Sequence, residues 1–337
     1  MKRGPRWTTN PKVLDRLAIA RRRLVRILAS HTIANGRTLE QKIADAGPSN
    51  QRVDPVYLTV ARRDLEKQGR IKSLMRDNTP WYFLPETPQQ EIDQRLAEQL
   101  AIHRAIGANN VFQRFGQALE IAILRTMREG QFDYLGDFED LDEHDDATLY
   151  RKREPPTAIG GRRCTAPVDF LLPLANDWLA IEAKNVRPWI YPESDELLPL
   201  LRKAVELDAI PVLIARRIAY VAFSEILEPC GVIVHQVFNQ RYPTSEHELA
   251  AKAAHKDLLG YHDIRASSLP DDRLRRFMLH NLPKLVPRAR AKFDQHKDLL
   301  LRLGTKEITY KQFHTELRLR LGIYTESPEQ DEPPNLY

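Results

Sequence analysis

The stretches Ala166-Pro167-Val168-Asp169-Phe170-Leu171-Leu172-Pro173 and Trp178-Leu179-Ala180-Ile181-Glu182-Ala183-Lys184-Asn185 decide how the fold of this chain is interpreted. Each contains a short apolar run that predicts a β-strand, and the Asn176-Asp177 pair between them predicts a turn. Both runs also contain acidic residues, which a buried strand tolerates poorly unless the charge has a partner. The charged positions therefore point to a site rather than to the core.

Paired as a hairpin, the two strands would bring Asp169 close to Glu182. Side chains alternate along a strand, so Glu182 and Lys184 should share one face. Two carboxylates beside a lysine form a hard, oxygen-rich site that suits Mg²⁺. Glu40-Gln41-Lys42 matches the same Glu-x-Lys pattern, but it lies in a predicted helix, where the side chains of residues two apart do not face each other.

The order Pro167-Val168-Asp169, a gap and then Glu182-Ala183-Lys184 resembles the PD-(D/E)XK nucleases, a superfamily that includes many restriction endonucleases and Holliday-junction resolvases. Val168 separates the proline from the acid, which departs from the usual pattern, but that proline has no chemical role. The resemblance covers roughly residues 108 to 240 and implies a core of helix, three strands, helix and strand.

The resemblance also implies roles for individual residues. Asp169 and Glu182 would ligate Mg²⁺, with Mn²⁺ as an expected substitute, and the carbonyl oxygen of Ala183 would complete the protein ligands. Lys184 would orient the attacking water or stabilise negative charge. Glu120, in a predicted apolar helix, looks like the further acid that the first helix of such a core often supplies; the alternative is an exposed polar position.

Composition limits the class of protein. At 337 residues the chain is long enough for two or three domains, and its two cysteines are too few for a disulfide framework. No apolar run is long enough to span a membrane, and the basic N-terminus is not followed by the apolar segment of a signal peptide. A cytoplasmic protein with no membrane partner is expected.

Charge is distributed unevenly along the chain. Residues 1–86 contain 18 Lys and Arg against 8 Asp and Glu, a net charge of +10, whereas the whole chain has +5 and the remainder −5. A basic block of this kind predicts contact with a polyanion.

The basic segment has the element pattern of three helices and a hairpin. Apolar spacing predicts a helix over 17–28, a second over 38–47 with Thr38 as N-cap and Gly47 as stop, and a third that begins at Asp54-Pro55. Strands at 70–74 and 81–84 follow. This order resembles the winged helix-turn-helix, in which the third helix enters the major groove of double-stranded DNA and the wing contacts the backbone.

Candidate DNA-binding residues follow from that resemblance and from basic residues around the first strand of the predicted hairpin. They are Thr59, Arg62, Arg63 and Lys67 on the third helix, Lys72 and Arg76 on the wing, and Arg162 and Arg163, which with Arg151, Lys152 and Arg153 flank the strand that contains Asp169. The alternatives are a solvated helix face and, because winged helices also bind proteins, a protein-contact role.

The predicted fold class is α/β, with a restriction-endonuclease-like core of helix, mixed central sheet and flanking helices. Phe132–Leu135 is expected as the first strand, a helix over 195–208 precedes the buried strand 210–215, and the acidic stretch 137–146 is expected as a solvated loop. The predicted organisation is a winged helix-turn-helix domain at 1–86, a helical linker at 87–107, the nuclease core at 108–242, a helical C-terminal region at 243–325 and a disordered tail at 326–337.

Together these features predict a Mg²⁺-dependent DNA endonuclease that serves restriction, phage defence or mobile-element processing, with a homodimer as one candidate assembly. Two alternatives stay open. One is a winged-helix DNA-binding regulator whose nuclease-like fold has lost catalysis; the other is a nuclease selective for junctions or flaps.

Overall fold

A computed structural model describes residues 11–44, 53–144 and 148–323. The described chain is mixed α/β and divides into two compact units. Of the described residues, the first unit contains 11–44, 53–107 and 248–262, and the second contains 108–144, 148–247 and 263–323. The predictions for Gly47, Asp145, Asp146 and the tail at 326–337 lie outside the described residues.

Residues 11–44 and 53–107 of the first unit form four helices and a small antiparallel sheet with strand order β1-β3-β2. Their elements are α1 (Pro11–His31), β1 (Ile33–Asn35), α2 (Gly36–Ile43), α3 (Pro55–Lys67), β2 (Lys72–Arg76), β3 (Thr79–Phe83) and α4 (Gln89–Gly107). The three predicted helices and the hairpin are therefore confirmed as elements, and β1 is an addition that the sequence did not suggest.

Local chemistry explains where these elements begin. Asp54 caps α3 by accepting the Val56 amide at 2.9 Å, and Pro55 occupies the first turn, as expected. The cap of α2 differs from the prediction: Asn35, not Thr38, is the N-cap, and its Oδ1 accepts the amide of Thr38 at 2.9 Å. Asn35 also ends β1, so one residue closes a strand and starts a helix.

The remaining α-helices and strands lie in the second unit, except α9 (His247–Ala254), of which residues 248–254 belong to the first. They are α5 (Asn109–Glu129), α6 (Leu141–His144), β4 (Ala158–Ile159), β5 (Arg162–Arg163), β6 (Phe170–Leu174), β7 (Asp177–Lys184), α7 (Leu198–Leu207), β8 (Ile210–Ala215), α8 (Tyr220–Ala222), β9 (Ile233–Gln236), β10 (Gln240–Tyr242), α9 (His247–Ala254), β11 (Ile264–Ala266), α10 (Asp272–Arg276), α11 (Leu282–Gly304) and α12 (Tyr310–Arg320).

An open mixed sheet with strand order β6-β7-β8-β9 organises this unit. β6 and β7 form the predicted antiparallel hairpin, whereas β8 and β9 continue the sheet in parallel with β7. Helix α7 connects β7 to β8, as a crossover between parallel strands requires. Every residue of β8 is buried, which agrees with a strand covered on both faces.

Two apolar layers cover the sheet. Phe170, Ile181 and Val212 point to the layer that contains α5 and part of α11. Leu171 and Ala180 point to the opposite layer, where they meet α7. Glu182 has the same parity along β7 as Ala180, so its side chain points toward α7.

Three predictions about the second unit were wrong in detail. The hairpin turn lies at Ala175 and Asn176, and Asp177 already pairs with Leu174. Phe132–Leu135 is not a strand, because it makes only the isolated bridge between Leu135 and Leu171 before Gly136 turns the chain away. The region after Tyr242 is not purely helical, since β11 pairs in parallel with β10.

Within the described part of the chain, no helix combines the length and the apolar character that a membrane crossing requires.

Candidate active site

The hairpin register places Asp169 beside Glu182. Phe170 pairs with Ile181 at the end of the β6–β7 ladder, so the next pair in register would be Asp169 and Glu182. At that position the side chain of Asp169 takes the place of a backbone partner: its Oδ2 accepts a hydrogen bond from the backbone amide of Ala183 at 2.6 Å. The first acid is therefore fixed against the strand that contains the second.

The carbonyl of Ala183 faces the same edge of β7. Backbone groups alternate between the two neighbours of a strand, and the carbonyl of Lys184 accepts the amide of Arg216 on the β8 side at 3.3 Å. The carbonyl of Ala183 consequently points to the β6 side, past the last ladder pair, where Asp169 lies.

Glu182 is buried and bound by two lysines. Its Oε1 accepts the ammonium of Lys184 at 2.7 Å, and its Oε2 accepts the ammonium of Lys203 from α7, also at 2.7 Å. Burial alone would raise the pKa of Glu182, but the two ammonium groups outweigh it and hold the pKa below its usual value. Glu182 is thus ionised at neutral pH.

The pKa of Lys184 is shifted in the opposite direction to that of Glu182. Burial alone would lower its pKa, but the negative charges of Glu182 and Asp169 outweigh that effect and hold the pKa above its usual value. The side chain retains 26% of its exposure. Lys184 is therefore a charged group with access to solvent.

Asp169 has an excess of negative charge around it. Burial raises its pKa, and the charges of Glu120 and Glu182 raise it further, while Lys152 and Lys184 offset only part of the effect. The pKa of Asp169 is held well above its usual range. An added cation would relieve this repulsion.

Glu120 reaches the site from helix α5. Its Oε2 forms an ion pair with Lys152 at 3.0 Å, and Lys152 also donates to the backbone carbonyl of Asp169. The ammonium of Lys152 lies 4.1 Å from the centre of the Phe170 ring. Lys152 was a candidate phosphate contact, but it instead joins Glu120 to the hairpin.

The donor set agrees with the chemistry of a divalent cation. Three carboxylates (Glu120, Asp169 and Glu182) and the carbonyl of Ala183 are hard oxygen ligands of the kind that Mg²⁺ prefers. Among the described residues, no group of three or more His, Cys, Asp or Glu side chains forms a ready-made cation site. At Glu182, lysines occupy both carboxylate oxygens.

The predicted DNA-contact residues of the first unit differ in exposure. Arg63, Lys67, Lys72 and Arg76 are exposed, as a backbone-contacting surface requires. Arg62 instead lies over the ring of Tyr82, with its guanidinium carbon 4.7 Å from the ring centre. Thr59 is half-buried, and its hydroxyl donates to the carbonyl of Pro55 at 3.0 Å. These last two residues are therefore committed to contacts within the unit.

Arg162 and Arg163 form the short strand β5 in the second unit, and both are exposed. Arg162 approaches Asp208 at 3.5 Å, whereas Arg163 extends toward solvent. In the acidic stretch that begins at Asp137, Asp140, Asp142 and Glu143 are exposed, as expected of a solvated segment, but Leu141–His144 is a short helix and not a loop. Arg128 of α5 binds Asp137 at 3.0 Å and Asp142 at 2.9 Å.

Sequence reasoning missed two parts of the site. Lys203 was assigned no role, although Leu200, Ala204 and Leu207 share its face of α7, so that a lysine interrupts a buried stripe. Asn185 was also missed: its side-chain amide donates to the carbonyls of Phe115 at 2.5 Å and Arg241 at 2.6 Å. Asn185 thereby holds the end of β7 directly after Lys184, and no sequence pattern indicated this.

Comparisons with protein-family models, with curated proteins and with solved structures found no match to this chain.

Proposed function

We propose that this chain is a Mg²⁺-dependent endodeoxyribonuclease with a site of the PD-(D/E)XK kind. The proposal rests on one observation: Asp169, Glu182 and Lys184 meet where the β6–β7 ladder ends, with Glu120 adding a third acid. Charged groups are costly in such a buried position unless they are fully paired, and the lysines leave an excess of negative charge around Asp169. A functional site explains their clustering better than a stability role.

Each residue has a role in the proposed hydrolysis, in which water attacks the phosphorus and one P–O bond breaks. Asp169, Glu182 and the carbonyl of Ala183 would hold the cation, with Glu120 as a further carboxylate at the same place. When bound, Mg²⁺ lowers the pKa of the attacking water and neutralises phosphate charge. Lys184, charged and partly exposed, would orient the water or stabilise the negative charge that develops on phosphate.

We further propose that the first unit is a winged helix-turn-helix that binds duplex DNA. Its three helices and hairpin have the required order, and Arg63 and Lys67 of α3 are exposed together with Lys72 and Arg76 of the hairpin. These residues would contact phosphates or base edges. Their contribution should be strongly salt-dependent.

The test is a cleavage assay on linear duplex, supercoiled plasmid and branched DNA, each with Mg²⁺ and with EDTA. Cleavage of duplex DNA that requires Mg²⁺ or Mn²⁺ would support the proposal. Cleavage confined to branched DNA would redirect it to a junction-selective nuclease. DNA binding without cleavage of any substrate would refute the enzymatic assignment.

A non-catalytic DNA-binding regulator is the second candidate, and one observation favours it. Both oxygens of Glu182 are bound by lysines, which is how a nuclease-like fold without a cation could balance its charges. The candidates differ in cation binding: an active nuclease should bind Mg²⁺ through Glu182, and a regulator should not.

A further inference from the structure

We propose that Lys203 and Lys152 are positioning residues that hold the acids of this site in register, each by joining one acid to the backbone beside Asp169. Its consequence for catalysis rests on the proposed function, whereas the contacts that the two lysines make are independent of that function. Lys203 joins Glu182 to the carbonyl of Pro167, and Lys152 joins Glu120 to the carbonyl of Asp169.

Lys203 makes the first connection from inside the core. Its side chain is only 5% exposed, and its ammonium donates to Glu182 Oε2 at 2.7 Å and to the carbonyl of Pro167 at 2.9 Å. Pro167 lies two residues before Asp169, on the segment that enters β6. A single ammonium therefore fixes the distance between the β7 acid and the chain that presents the other acid.

Lys152 makes the second connection from the other side of the sheet. Gln117 of α5 holds this segment in place, because its side chain accepts the amide of Tyr150 at 2.9 Å and donates to its carbonyl at 2.6 Å. Lys152 then reaches both Glu120 on the same helix and the carbonyl of Asp169. The rings of Phe170 and Phe138, 4.1 Å and 5.1 Å from the ammonium, limit its movement.

The two oxygens of Glu182 consequently differ. Oε2 is held by Lys203, which is deeply buried and also bound to the backbone. Oε1 is held by Lys184, which is partly exposed and has no such backbone contact among the described hydrogen bonds. Oε1 is thus the oxygen that can exchange partners: a cation at Oε1 would release Lys184 toward the substrate, while Lys203 keeps Glu182 in place.

A positioning role and a simple charge-balancing role predict opposite effects on cation binding. Removing one positive charge from a rigid site would strengthen the attraction for Mg²⁺. Removing a group that orients a ligand typically weakens metal binding by about 10- to 100-fold, as for outer-shell partners in other metal sites. The sign of the change in affinity therefore separates the two roles.

The test compares Lys203→Met and Lys152→Met with a matched control, Lys297→Met. Methionine keeps the apolar stem and removes the charge. Lys297 loses the same charge outside the site, where it pairs with Asp208 at 2.9 Å. The full chain is used throughout, and far-UV circular dichroism confirms that each variant folds.

The first measurement is hydrogen exchange at the amide of Ala183, which reports directly on the bond to Asp169 and requires neither cation nor DNA. We expect exchange in EDTA to accelerate by about tenfold or more in Lys203→Met and Lys152→Met, but not in Lys297→Met. Amides of β8 should keep their protection. Unchanged protection at Ala183 in folded variants would overturn the proposal.

The second measurement is Mg²⁺ titration by calorimetry. We expect Lys203→Met to bind Mg²⁺ at least about tenfold more weakly than Lys297→Met; equal or tighter binding would reduce Lys203 to a counter-charge and overturn its positioning role. If the unmodified chain binds no Mg²⁺, the proposed nuclease function fails, and the exchange rates alone decide whether the two lysines hold the acids in register.

Discussion

The substitution Gly136→Ala should disturb the position of Asp169, although Gly136 is not itself one of the site residues. Gly136 has a φ of +112°, a conformation that side chains rarely adopt, and a Cβ there would overlap the carbonyl oxygen of Asp169. The same Cβ would also lie 3.1 Å from Phe170 and 3.2 Å from Pro156. Relief of the overlap requires movement of the backbone that presents Asp169.

The expected size of the effect comes from two contributions. The unfavourable φ costs about 1–3 kcal/mol, and overpacking against fixed neighbours costs about 1–3 kcal/mol more. We therefore expect the free energy of unfolding to fall by roughly 2–6 kcal/mol. If the chain instead yields by displacing Asp169, cleavage should fall by about a hundredfold, the usual effect of a displacement near 1 Å.

Gly160→Ala is the matched control. Gly160 also has a positive φ, +53°, but nothing lies within 4 Å of the position that a Cβ would occupy there. Urea unfolding and plasmid cleavage are measured for both variants. Gly160→Ala should lose little more than the cost of its φ and should keep its activity. If Gly136→Ala matched the control in both stability and activity, the close approach to Asp169 would be refuted.

Three further predictions concern the charged residues. Lys184→Ala and Lys184→Arg should each reduce cleavage by at least about a hundredfold while Mg²⁺ still binds, because a wider guanidinium cannot replace a point charge. Asp169→Asn should abolish cleavage yet raise the free energy of unfolding in EDTA at neutral pH. Because the pKa of Asp169 is raised in the folded chain, the folded chain loses stability as pH rises through that pKa, and an asparagine, which does not ionise, avoids this loss of stability. Replacing Arg63 and Lys67 together by alanine should make the dependence of log DNA affinity on log salt concentration less steep, by about two in the magnitude of the slope.

The outcomes that would contradict these predictions are equally specific. Near-normal cleavage by Lys184→Arg would reduce Lys184 to charge balance, and near-normal cleavage by Lys184→Ala would remove the nuclease assignment from this motif. A stability difference between Asp169→Asn and the unmodified chain that grew as pH fell would contradict the direction of the Asp169 pKa. An unchanged salt slope would place the DNA surface elsewhere than on Arg63 and Lys67.

The hairpin at the centre of the site could be predicted because its signals are local. Short apolar runs identified β6 and β7, and a strand period of two placed Glu182 and Lys184 on one face, where they form an ion pair. Similarly, Asp54-Pro55 marked the start of α3 through cap chemistry that depends on adjacent residues only. Such short-range preferences are readable from one sequence.

The lysines around the site required the tertiary structure. Lys203 lies 21 residues from Glu182, and Lys152 lies 17 residues from Asp169, so no local pattern joins them. An apolar stripe interrupted by Lys203 was a visible signal, but it could not name the partner. The prediction of a strand at Phe132–Leu135 was wrong for a related reason. The apolar residues of this segment are typical of a strand, but only Leu135 pairs with another strand before the chain turns at Gly136.

Nicking of supercoiled plasmid by the purified chain, with Asp169→Asn prepared in parallel, tests the central claim most directly. Because Asp169→Asn should fold at least as stably as the unmodified chain, loss of its activity cannot be ascribed to unfolding. The account predicts that the unmodified chain nicks plasmid in Mg²⁺ and not in EDTA, and that Asp169→Asn does not nick in either. Equal nicking by the two proteins, or no nicking by the unmodified chain in Mg²⁺ or Mn²⁺, would contradict it.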